Sequence, residues 1–371
     1  MIESSRLGTR NRGRGVLLCA AGSALILAGT TACGGIDTGE GGSAGGEITV
    51  TAFAGPWGEL FTSSFVEPFE EETGIEVNVV TGADGEWVTQ MRAAGGENPP
   101  FDLVALTSET FHQAVTNDLV QPLDPDALAH WSELDPVLVE QSTVDGSSYG
   151  APLTTGSAGL VYRTDLVEDP PQDWEDIFDE QYCGHVALPP LTYNIGLQFF
   201  SALVASEGGD LSDPEAVDRA FERLEELKGC VSAYPSDAGN VGTVLQNGDA
   251  WIVPFWDGRA IAMEQEGQPI GFTYPESGAV GALTSYYVAE GTQNREDVYA
   301  FLDYLTSAEH QKPFAEGTFY GGGNTGIDHS AEFDERISYG TDVYEDFTWV
   351  DYGAATPNLN EWQQRWNEIF Q

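Results

Sequence analysis

Basic residues are scarce in this chain of 371 residues: 14 lysines and arginines stand against 60 aspartates and glutamates, and the formal net charge is −46. The only lysines are Lys228 and Lys312. A field of this sign repels nucleic acids and other polyanions, so we expect no nucleic-acid partner. The acidic residues are spread along the whole chain, which favours adaptation of the surface to a saline exterior over attraction of a cationic ligand.

Long apolar runs are also few, and the one near the start has the features of an export signal. Four arginines, the last of them Arg14, precede an apolar run from Val16 to Gly29 that is too short to span a bilayer comfortably. We therefore predict that residues 1–32 form a signal peptide. No later segment has about 18 uninterrupted apolar residues, so we expect no further membrane span.

The end of this apolar run predicts how the exported chain is held. Thr30-Thr31-Ala32-Cys33 is similar to a bacterial lipobox, which predicts a lipid on Cys33. Ordinary cleavage near Ala32, giving a free secreted or periplasmic protein, is the alternative. Half of residues 34–47 are glycine and none is aromatic, so this stretch cannot order itself by burying apolar surface. We expect residues 33–46 to be a lipid-anchored flexible tether on the outer face of the cell membrane.

Only four cysteines occur, and two of them, Cys19 and Cys33, lie in the signal or at the lipidation site. The remaining pair, Cys183 and Cys230, would be exported to an oxidising compartment, which predicts a disulfide; two free buried thiols are the alternative. No further cysteine is left to build a metal site, and the five histidines have no ligand-type spacing. We therefore expect neither a metal nor another cofactor.

Apolar periodicity predicts alternating strands and helices after the tether. Its βαβαβ order in the first half implies a mostly parallel sheet flanked by helices. The predicted strands span residues 48–53, 75–80, 101–106, 160–162 and 250–255, and the predicted helices span residues 59–72, 86–94, 109–115, 213–229, 259–266 and 296–305. We expect Pro68 to shorten or kink the first helix. Leu359, Trp362, Trp366 and Ile369 predict a final helix whose aromatic stripe packs into a core.

Motifs that would indicate catalysis or a bound nucleotide lack the required context. Gly146–Gly150 matches the hydrolase pattern G-x-S-x-G, but the Asp-Gly that opens it predicts a β-hairpin instead of a strand-to-helix turn. The G-x-G-x-x-G of Gly321–Gly326 follows a predicted helix end and no strand, which argues against a dinucleotide site. Adjacent Tyr286 and Tyr287 are similar to a pair in ferric-iron-binding proteins, although in a strand their rings would face opposite sides. We therefore predict that the chain is not an enzyme.

Five weak motifs follow one another in order over about residues 47–330. They are Ala54-Gly55-Pro56-Trp57-Gly58, Pro68 through Val77, Phe101-Asp102-Leu103-Val104, Asp173 through Pro189, and a late segment running from Gly248 to Gly258 and from Gly267 to Glu276. In this order they resemble the bacterial extracellular solute-binding family that includes the spermidine/putrescine-binding proteins.

The resemblance implies an α/β fold of the type II periplasmic-binding-protein kind, with two α/β lobes, a hinge and a ligand cleft between the lobes. We place the hinge crossings near residues 152–157 and 282–285. The predicted first lobe comprises residues 47–154 and 284–330, the second lobe comprises residues 155–283, and residues 331–371 form a helical segment that packs back on the lobes. The implied function is capture of a small-molecule solute by hinge closure and its delivery, by a monomer, to an ABC permease in the membrane.

Loops that follow the predicted strands supply the candidate ligand contacts, because open α/β sheets bind ligands at the C-terminal ends of their strands. Core packing for Trp57, helix capping for Asp257 and loop shaping for Tyr193 and Asn194 stay open as alternatives. Arg163 pairs with either a ligand carboxylate or a neighbouring acid. The candidate residues are Gly55, Trp57, Thr107, Ser108, Thr155, Gly156, Ser157, Tyr193, Asn194, Trp256, Asp257 and Thr284.

The residues at the family's ligand-binding positions bear on the class of solute. Polyamine binders pair carboxylates with ammonium groups between aromatic rings. In the register of that family the acidic positions fall at Leu191, Asn194 and Thr284, and none of these residues is acidic. The sequence therefore favours a carboxylate, an opine-like or amino-acid-like compound, or a neutral polar solute over a polyamine. A ferric-iron-binding protein of the same fold, an extracellular enzyme with a two-lobed cleft and a sensory binding protein are the alternatives.

Overall fold

A computed structural model describes residues 46–96 and 98–371. The predicted signal peptide, the lipidation site at Cys33 and all of the predicted tether except its last residue lie outside the described residues. Among the helices of the described ranges, none combines the length and apolar character needed to cross a bilayer.

Twelve β-strands are formed in the described residues, and ten of them make one continuous sheet. The strands are β1 (Glu47–Phe53), β2 (Glu76–Gly82), β3 (Leu103–Thr107), β4 (Thr143–Val144), β5 (Ser147–Ser148), β6 (Gly150–Arg163), β7 (Val186–Ala187), β8 (Val231–Ala233), β9 (Ile252–Trp256), β10 (Ile270–Thr273), β11 (Val280–Val288) and β12 (Gly321–Gly322). The order along the sheet is β2-β1-β3-β11-β6-β9-β7-β8, and β10 and β12 also pair with β6. The two ends of the sheet are parallel, whereas β11 and β6 in its middle run antiparallel to each other and to their outer neighbours.

The helices connect these strands and cover the sheet. They are α1 (Pro56–Phe61), α2 (Glu67–Thr73), α3 (Asp84–Ala94), α4 (Ser108–Thr116), α5 (Pro136–Glu140), α6 (Asn194–Ser206), α7 (Pro214–Glu225), α8 (Ala238–Asn247), α9 (Asp257–Gln265), α10 (Arg295–Thr306), α11 (Ala308–Thr318), α12 (Ala331–Asp334), α13 (Thr341–Glu345) and α14 (Tyr352–Phe370). A π-helical turn at Thr62–Val66 joins α1 to α2. Short 3-10 turns lie at Pro125–Ala127, Trp131–Glu133, Trp174–Phe178 and Glu180–Tyr182.

The predicted βαβαβ start is confirmed. β1 lies between β2 and β3 in parallel register, with Val50 opposite both Val79 and Leu103. A helix connects each strand to the next, as parallel pairing requires. The helix predicted over residues 59–72 is confirmed, since residues 56–73 are helical without a break. The irregularity expected at Pro68 is a π-helical turn just before this residue, whose missing N–H cannot continue the regular hydrogen-bond ladder.

The strand predicted at residues 160–162 is far too short. It is the end of β6, which runs for 14 residues and is buried along its first 12. Small residues from Thr154 to Gly159 give this segment neither an alternating pattern nor an apolar run, so its sequence carried little strand signal. Burial on both faces explains the missing alternation, because neither face needs polar side chains.

Buried apolar side chains form two large cores. The first includes side chains from β1 to β3, α1 to α4, α10 and α11, and the second includes side chains from β7, β9, α6 to α9 and α14. β6 contributes Leu153 to the first core and Leu160 to the second, while β11 contributes Tyr286 to the first and Val280 to the second. These two strands therefore join the lobes, as expected for the hinge; the exact lobe bounds remain a prediction.

The chain passes between the cores a third time. Phe314 of α11 belongs to the first core, and α14 packs Trp362 and Trp366 into the second. The aromatic stripe of the final helix is therefore core, as its spacing predicted. The segment before α14 packs beside the crossing strands, where Trp349 covers Gly281 so closely that a methyl group there would collide with its ring.

The two motifs set aside in the sequence have structural roles. β4 and β5 form the expected hairpin, with positive φ at Asp145 and Gly146 in its turn. Gly321 and Gly322 form β12 against β6, and a side chain on Gly323 would collide with the backbone of Pro152. The glycines of this second motif therefore permit close backbone packing at the hinge.

The predicted disulfide between Cys183 and Cys230 is formed. Cys183 lies shortly before β7, and Cys230 directly precedes β8. Beside the disulfide, the Gly184 N–H donates to the Cys230 carbonyl at 2.8 Å. The bond therefore closes a 47-residue loop that contains α6 and α7, both of which pack into the second core.

We expect replacement of both Cys183 and Cys230 by alanine to lower the free energy of unfolding by about 4 kcal/mol, because the unfolded chain regains the entropy of the open loop. Urea unfolding of the oxidised protein and the variant measures the difference. Reductant should destabilise the parent protein and leave the variant unchanged; equal stability of parent and variant would contradict the prediction.

Candidate functional site

A cavity of about 420 Å³ lies among residues of both lobes. Its walls include Phe53 and Thr107 at the ends of β1 and β3, Trp256 at the end of β9, and Thr154 and Thr284 on the two crossing strands. This is the edge of the sheet at which α/β proteins bind ligands, and the volume suits a small molecule.

Seven of the twelve predicted site residues line this cavity, and five do not. The lining residues are Trp57, Thr107, Ser108, Tyr193, Asn194, Trp256 and Thr284, and the others are Gly55, Thr155, Gly156, Ser157 and Asp257. The structure thus brings the first group together from both lobes, while contact between each residue and a solute remains a prediction.

Asp257 is fully buried and serves to join α9 to β6. One carboxylate oxygen accepts hydrogen bonds from the N–H and hydroxyl of Ser157, both at 3.1 Å, and from the Tyr274 hydroxyl at 3.3 Å. Burial raises the pKa of Asp257 to about 6 against these hydrogen bonds. Neither Asp257 nor Ser157 therefore faces the cavity, and Asp257 is not the cap of α9, which follows Trp256 without a side-chain cap.

Gly55, Thr155 and Gly156 do not line the cavity, each for a local structural reason. Thr154 lines the cavity, and Thr155 is buried on the other face of the strand, because successive side chains of a strand point to opposite faces. Gly156 is covered by the Tyr320 ring. Gly55 precedes α1 with φ at 83°, and its carbonyl accepts the first hydrogen bonds of that helix.

Aromatic rings form much of the cavity wall. Tyr193 and Trp256 meet edge to face at 5.7 Å between ring centres. The Trp256 indole N–H donates to the Gln198 side-chain oxygen at 2.8 Å, and the Gln198 amide in turn donates to the Gly281 carbonyl at 3.0 Å, so this indole is held in place from β11. Trp57 combines two roles, since it lines the cavity and also belongs to the first core.

Two carboxyl groups, Asp84 and Glu109, line the cavity from the first lobe. One oxygen of Asp84 accepts from the Thr107 N–H at 3.2 Å, the Thr107 hydroxyl at 2.8 Å and the Thr110 hydroxyl at 2.7 Å. Burial, reinforced by the negative charge of Asp84, raises the pKa of Glu109 to about 7. Neither residue was among the predicted site residues, because the acidic positions implied by the family resemblance fall elsewhere, at Leu191, Asn194 and Thr284. Asp84 and Glu109 each lie in the first turn of a helix that follows a strand, and this position is the signal that could have identified them.

Arg259 lines the cavity from the second lobe, in the first turn of α9. Among residues 46–96 and 98–371, no carboxylate lies within 4.0 Å of its guanidinium. Burial raises the pKa of Tyr193 and of Tyr320, and the positive charge of Arg259 opposes both shifts. Arg163, the basic residue considered from the sequence, instead pairs with Asp165 at 2.8 Å and does not line the cavity.

The third crossing also reaches the cavity. Tyr352, the first residue of α14, lines it and donates its hydroxyl to the Asn194 side-chain oxygen at 2.8 Å. The sequence signal for α14 came from a stripe that begins at Leu359, so it did not extend to this residue.

The adjacent tyrosines considered as iron ligands are buried in the first core. The Tyr286 hydroxyl donates to the Thr51 carbonyl at 2.8 Å, and the Tyr287 hydroxyl lies 3.0 Å from that of Ser142. Neither tyrosine lines the cavity. In the part of the chain that the structure covers, no three His, Cys, Asp or Glu residues are grouped so that they could hold a metal ion.

Comparison with known proteins agrees with this architecture. The sequence profile of a family described as bacterial extracellular solute-binding protein matches residues 64–339. The spermidine/putrescine-binding periplasmic protein of Escherichia coli is 23% identical over 316 residues, which cover 83% of this chain and 89% of that protein. A γ-aminobutyric acid-binding protein of Pseudomonas aeruginosa is 24% identical over 278 residues, covering 74% and 76%.

A solved structure supports the fold in three dimensions. A protein from Clostridium perfringens described as an ABC transporter superposes with a TM-score of 0.75 at 22% identity, over 87% of this chain and 100% of that one. With the family match, the paired cores and the cavity between them, these findings define the class: the chain belongs to the bacterial extracellular solute-binding protein family. Its fold is the two-lobed α/β fold that the sequence motifs implied.

Proposed function

We propose that this extracellular solute-binding protein is the receptor of an ABC importer and captures a small polar solute that carries a carboxylate, amino-acid-like or opine-like in character. The solute enters the cavity, the lobes close by rotation about β6 and β11, and the permease recognises the closed form. The observation that carries the ligand class is Arg259, a guanidinium that faces the cavity without a carboxylate partner among the described residues.

A carboxylate is the natural partner for this guanidinium. Its planar fork of N–H donors matches the two oxygens of a carboxylate, and such charge-assisted hydrogen bonds are stronger than neutral ones. Arg259 differs from the other cations without an ion pair in the described residues because it lines the cavity, where a ligand can supply the negative charge. The hydroxyl and amide groups of Ser108, Asn194 and Thr284 offer further hydrogen bonds to the polar parts of a solute.

A polyamine fits this arrangement less well. A linear diamine carries a cation at each end, so a molecule that spans the cavity from Glu109 would bring its second ammonium group towards Arg259. The names of the relatives include both kinds of ligand, since polyamines lack a carboxylate and γ-aminobutyric acid has one. The charge of Arg259 favours the second kind.

Thermal denaturation with a panel of solutes tests this assignment. We expect small carboxylates and amino acids to raise the melting temperature of the protein, and spermidine and putrescine to leave it unchanged, because only the former can bind Arg259. For the most stabilising compound, Arg259→Gln should weaken binding by about 10- to 100-fold in calorimetry, the worth of a hydrogen bond to a charged group.

Arg219→Gln is the matched control, because Arg219 lies on the surface of α7 and pairs with Glu207 at 3.4 Å, away from the cavity. This variant should bind the same compound as tightly as the parent protein. Stabilisation by polyamines with no effect of carboxylates, or equal binding by the Arg259 variant, would disprove the proposed ligand class.

We further propose that the receptor is a lipoprotein attached through Cys33. The support is the sequence Thr30-Thr31-Ala32-Cys33, the basic and apolar leader before it and the glycine-rich stretch after it. A lipid anchor with a flexible tether would keep the receptor near its permease while both lobes remain free to move.

Cys33→Ser should abolish incorporation of an alkyne-labelled fatty acid and release the protein into the medium or periplasm, because the thiol is the site of acylation. Gel fluorescence after labelling in the native host measures incorporation, and immunoblotting of cell fractions measures release. Cys183→Ser is the control for general loss of a cysteine and should stay labelled. Unchanged labelling of the Cys33 variant would contradict lipidation at this residue.

A further inference from the structure

Asp84 and Glu109 are the acidic residues that line the cavity, and the proposed contact between a solute carboxylate and Arg259 does not involve them. Asp84 opens α3 and Glu109 lies in the first turn of α4, so two separate helices bring these carboxyl groups to the same wall. Three donors from Thr107 and Thr110 hold one oxygen of Asp84 in place and leave its other oxygen without a side-chain partner in the described residues. Within residues 46–96 and 98–371, the Glu109 carboxyl makes no side-chain hydrogen bond and no ion pair.

A half-buried carboxyl beside a second carboxylate is unfavourable unless a proton or a cation compensates it. In the described part of the chain, no lysine, arginine or histidine nitrogen lies within 4.0 Å of the Glu109 carboxyl. Tyr352 of α14 carries a neutral hydroxyl that is engaged by Asn194, Gln113 of α4 is neutral, and Arg259 of α9 belongs to the second-lobe part of the cavity. His112 of α4 lies beside Gly353, at the junction of that helix with α14.

We propose that Asp84 and Glu109 form a subsite for the ammonium group of a zwitterionic solute whose carboxylate binds Arg259, and that solute binding displaces a proton from Glu109. The carboxylate half of this assignment rests on the proposed function. No covalent bond other than the O–H of Glu109 changes: the proton passes to the solvent, and the ammonium group takes its place between the two carboxylates. The cation specificity of the receptor then resides in Glu109.

The pH dependence follows from the direction of the Glu109 shift. Burial and the charge of Asp84 raise the pKa of this carboxyl to about 7 in the absence of solute, so below that pH the group is neutral and must lose its proton before it can pair with an ammonium group. Affinity for a zwitterion should therefore be greatest above pH 7. It should fall by up to about tenfold per pH unit below that value.

Calorimetry on the full chain tests the proposal with defined probes. The probes are glycine, β-alanine, 4-aminobutyrate and 6-aminohexanoate, each compared with the acid that lacks the amine. At about pH 8 at least one amino acid should bind at least about tenfold more tightly than its deaminated counterpart, the worth of a charged hydrogen bond. At about pH 6 this advantage should shrink about tenfold. Binding near pH 7, compared in buffers of different ionisation enthalpy, should release about half a proton, because about half of the Glu109 carboxyls are protonated at that pH.

Glu109→Gln should remove both the preference for the amine and its pH dependence, while binding of the deaminated acid stays within about twofold. Glu86→Gln is the matched control, since Glu86 is exposed on α3 two residues from Asp84 and does not line the cavity; it should leave both properties unchanged. Proton release by the unmodified protein gives a result even if the Glu109 variant folds poorly.

The proposal is overturned if no amino acid of the series binds more tightly than its deaminated counterpart, if binding releases no proton, or if Glu109→Gln keeps the preference for the amine. After any of these outcomes, the proposed carboxylate contact at Arg259 still stands if the deaminated acids bind and Arg259→Gln weakens their binding. Loss of binding by all the acids, with or without the amine, would instead count against the proposed function.

Discussion

β6 and β11 lie side by side and each contributes side chains to both cores, so a relative movement of the lobes must bend this pair of strands. Their pairing is irregular between Thr284 and Ser285, close to where the strands leave one core for the other. Asp257 joins α9 to β6, and the glycines of β12 allow the third crossing to pack against the same strand. Elements of both lobes that form the cavity are therefore attached to the same pair of strands, β6 and β11.

This arrangement places unlike charges on separate halves of one small cavity. Asp84 and Glu109 belong to helices of the first lobe, and Arg259 belongs to a helix of the second. A solute that pairs with both charges contacts both lobes at once. Such a solute binds the closed state more tightly than the open state and therefore favours closure. Tyr193 and Trp256 meet edge to face in the wall of the same cavity and give it an apolar surface.

Much of the fold followed from residue pattern, because β1 to β3 are apolar runs with helices between them. Only the end of β6, at residues 160–162, was predicted as a strand, because the small residues before it are buried on both faces and have no periodicity. The strand-end rule predicts a site at the edge where Thr107 and Trp256 line the cavity. It could not distinguish Asp257 from Arg259, because their positions differ by two residues in one helical turn, and only the packing of α9 on β6 decides which of them faces the cavity.

Small-angle X-ray scattering tests most directly the claim that the two lobes close about the shared strands. The measurement compares the chain alone with the chain saturated by the solute that most raises its melting temperature. The account predicts a smaller radius of gyration in the complex with an unchanged far-ultraviolet circular dichroism spectrum, because the lobes rotate as bodies and keep their secondary structure. An unchanged radius at proven saturation would contradict it.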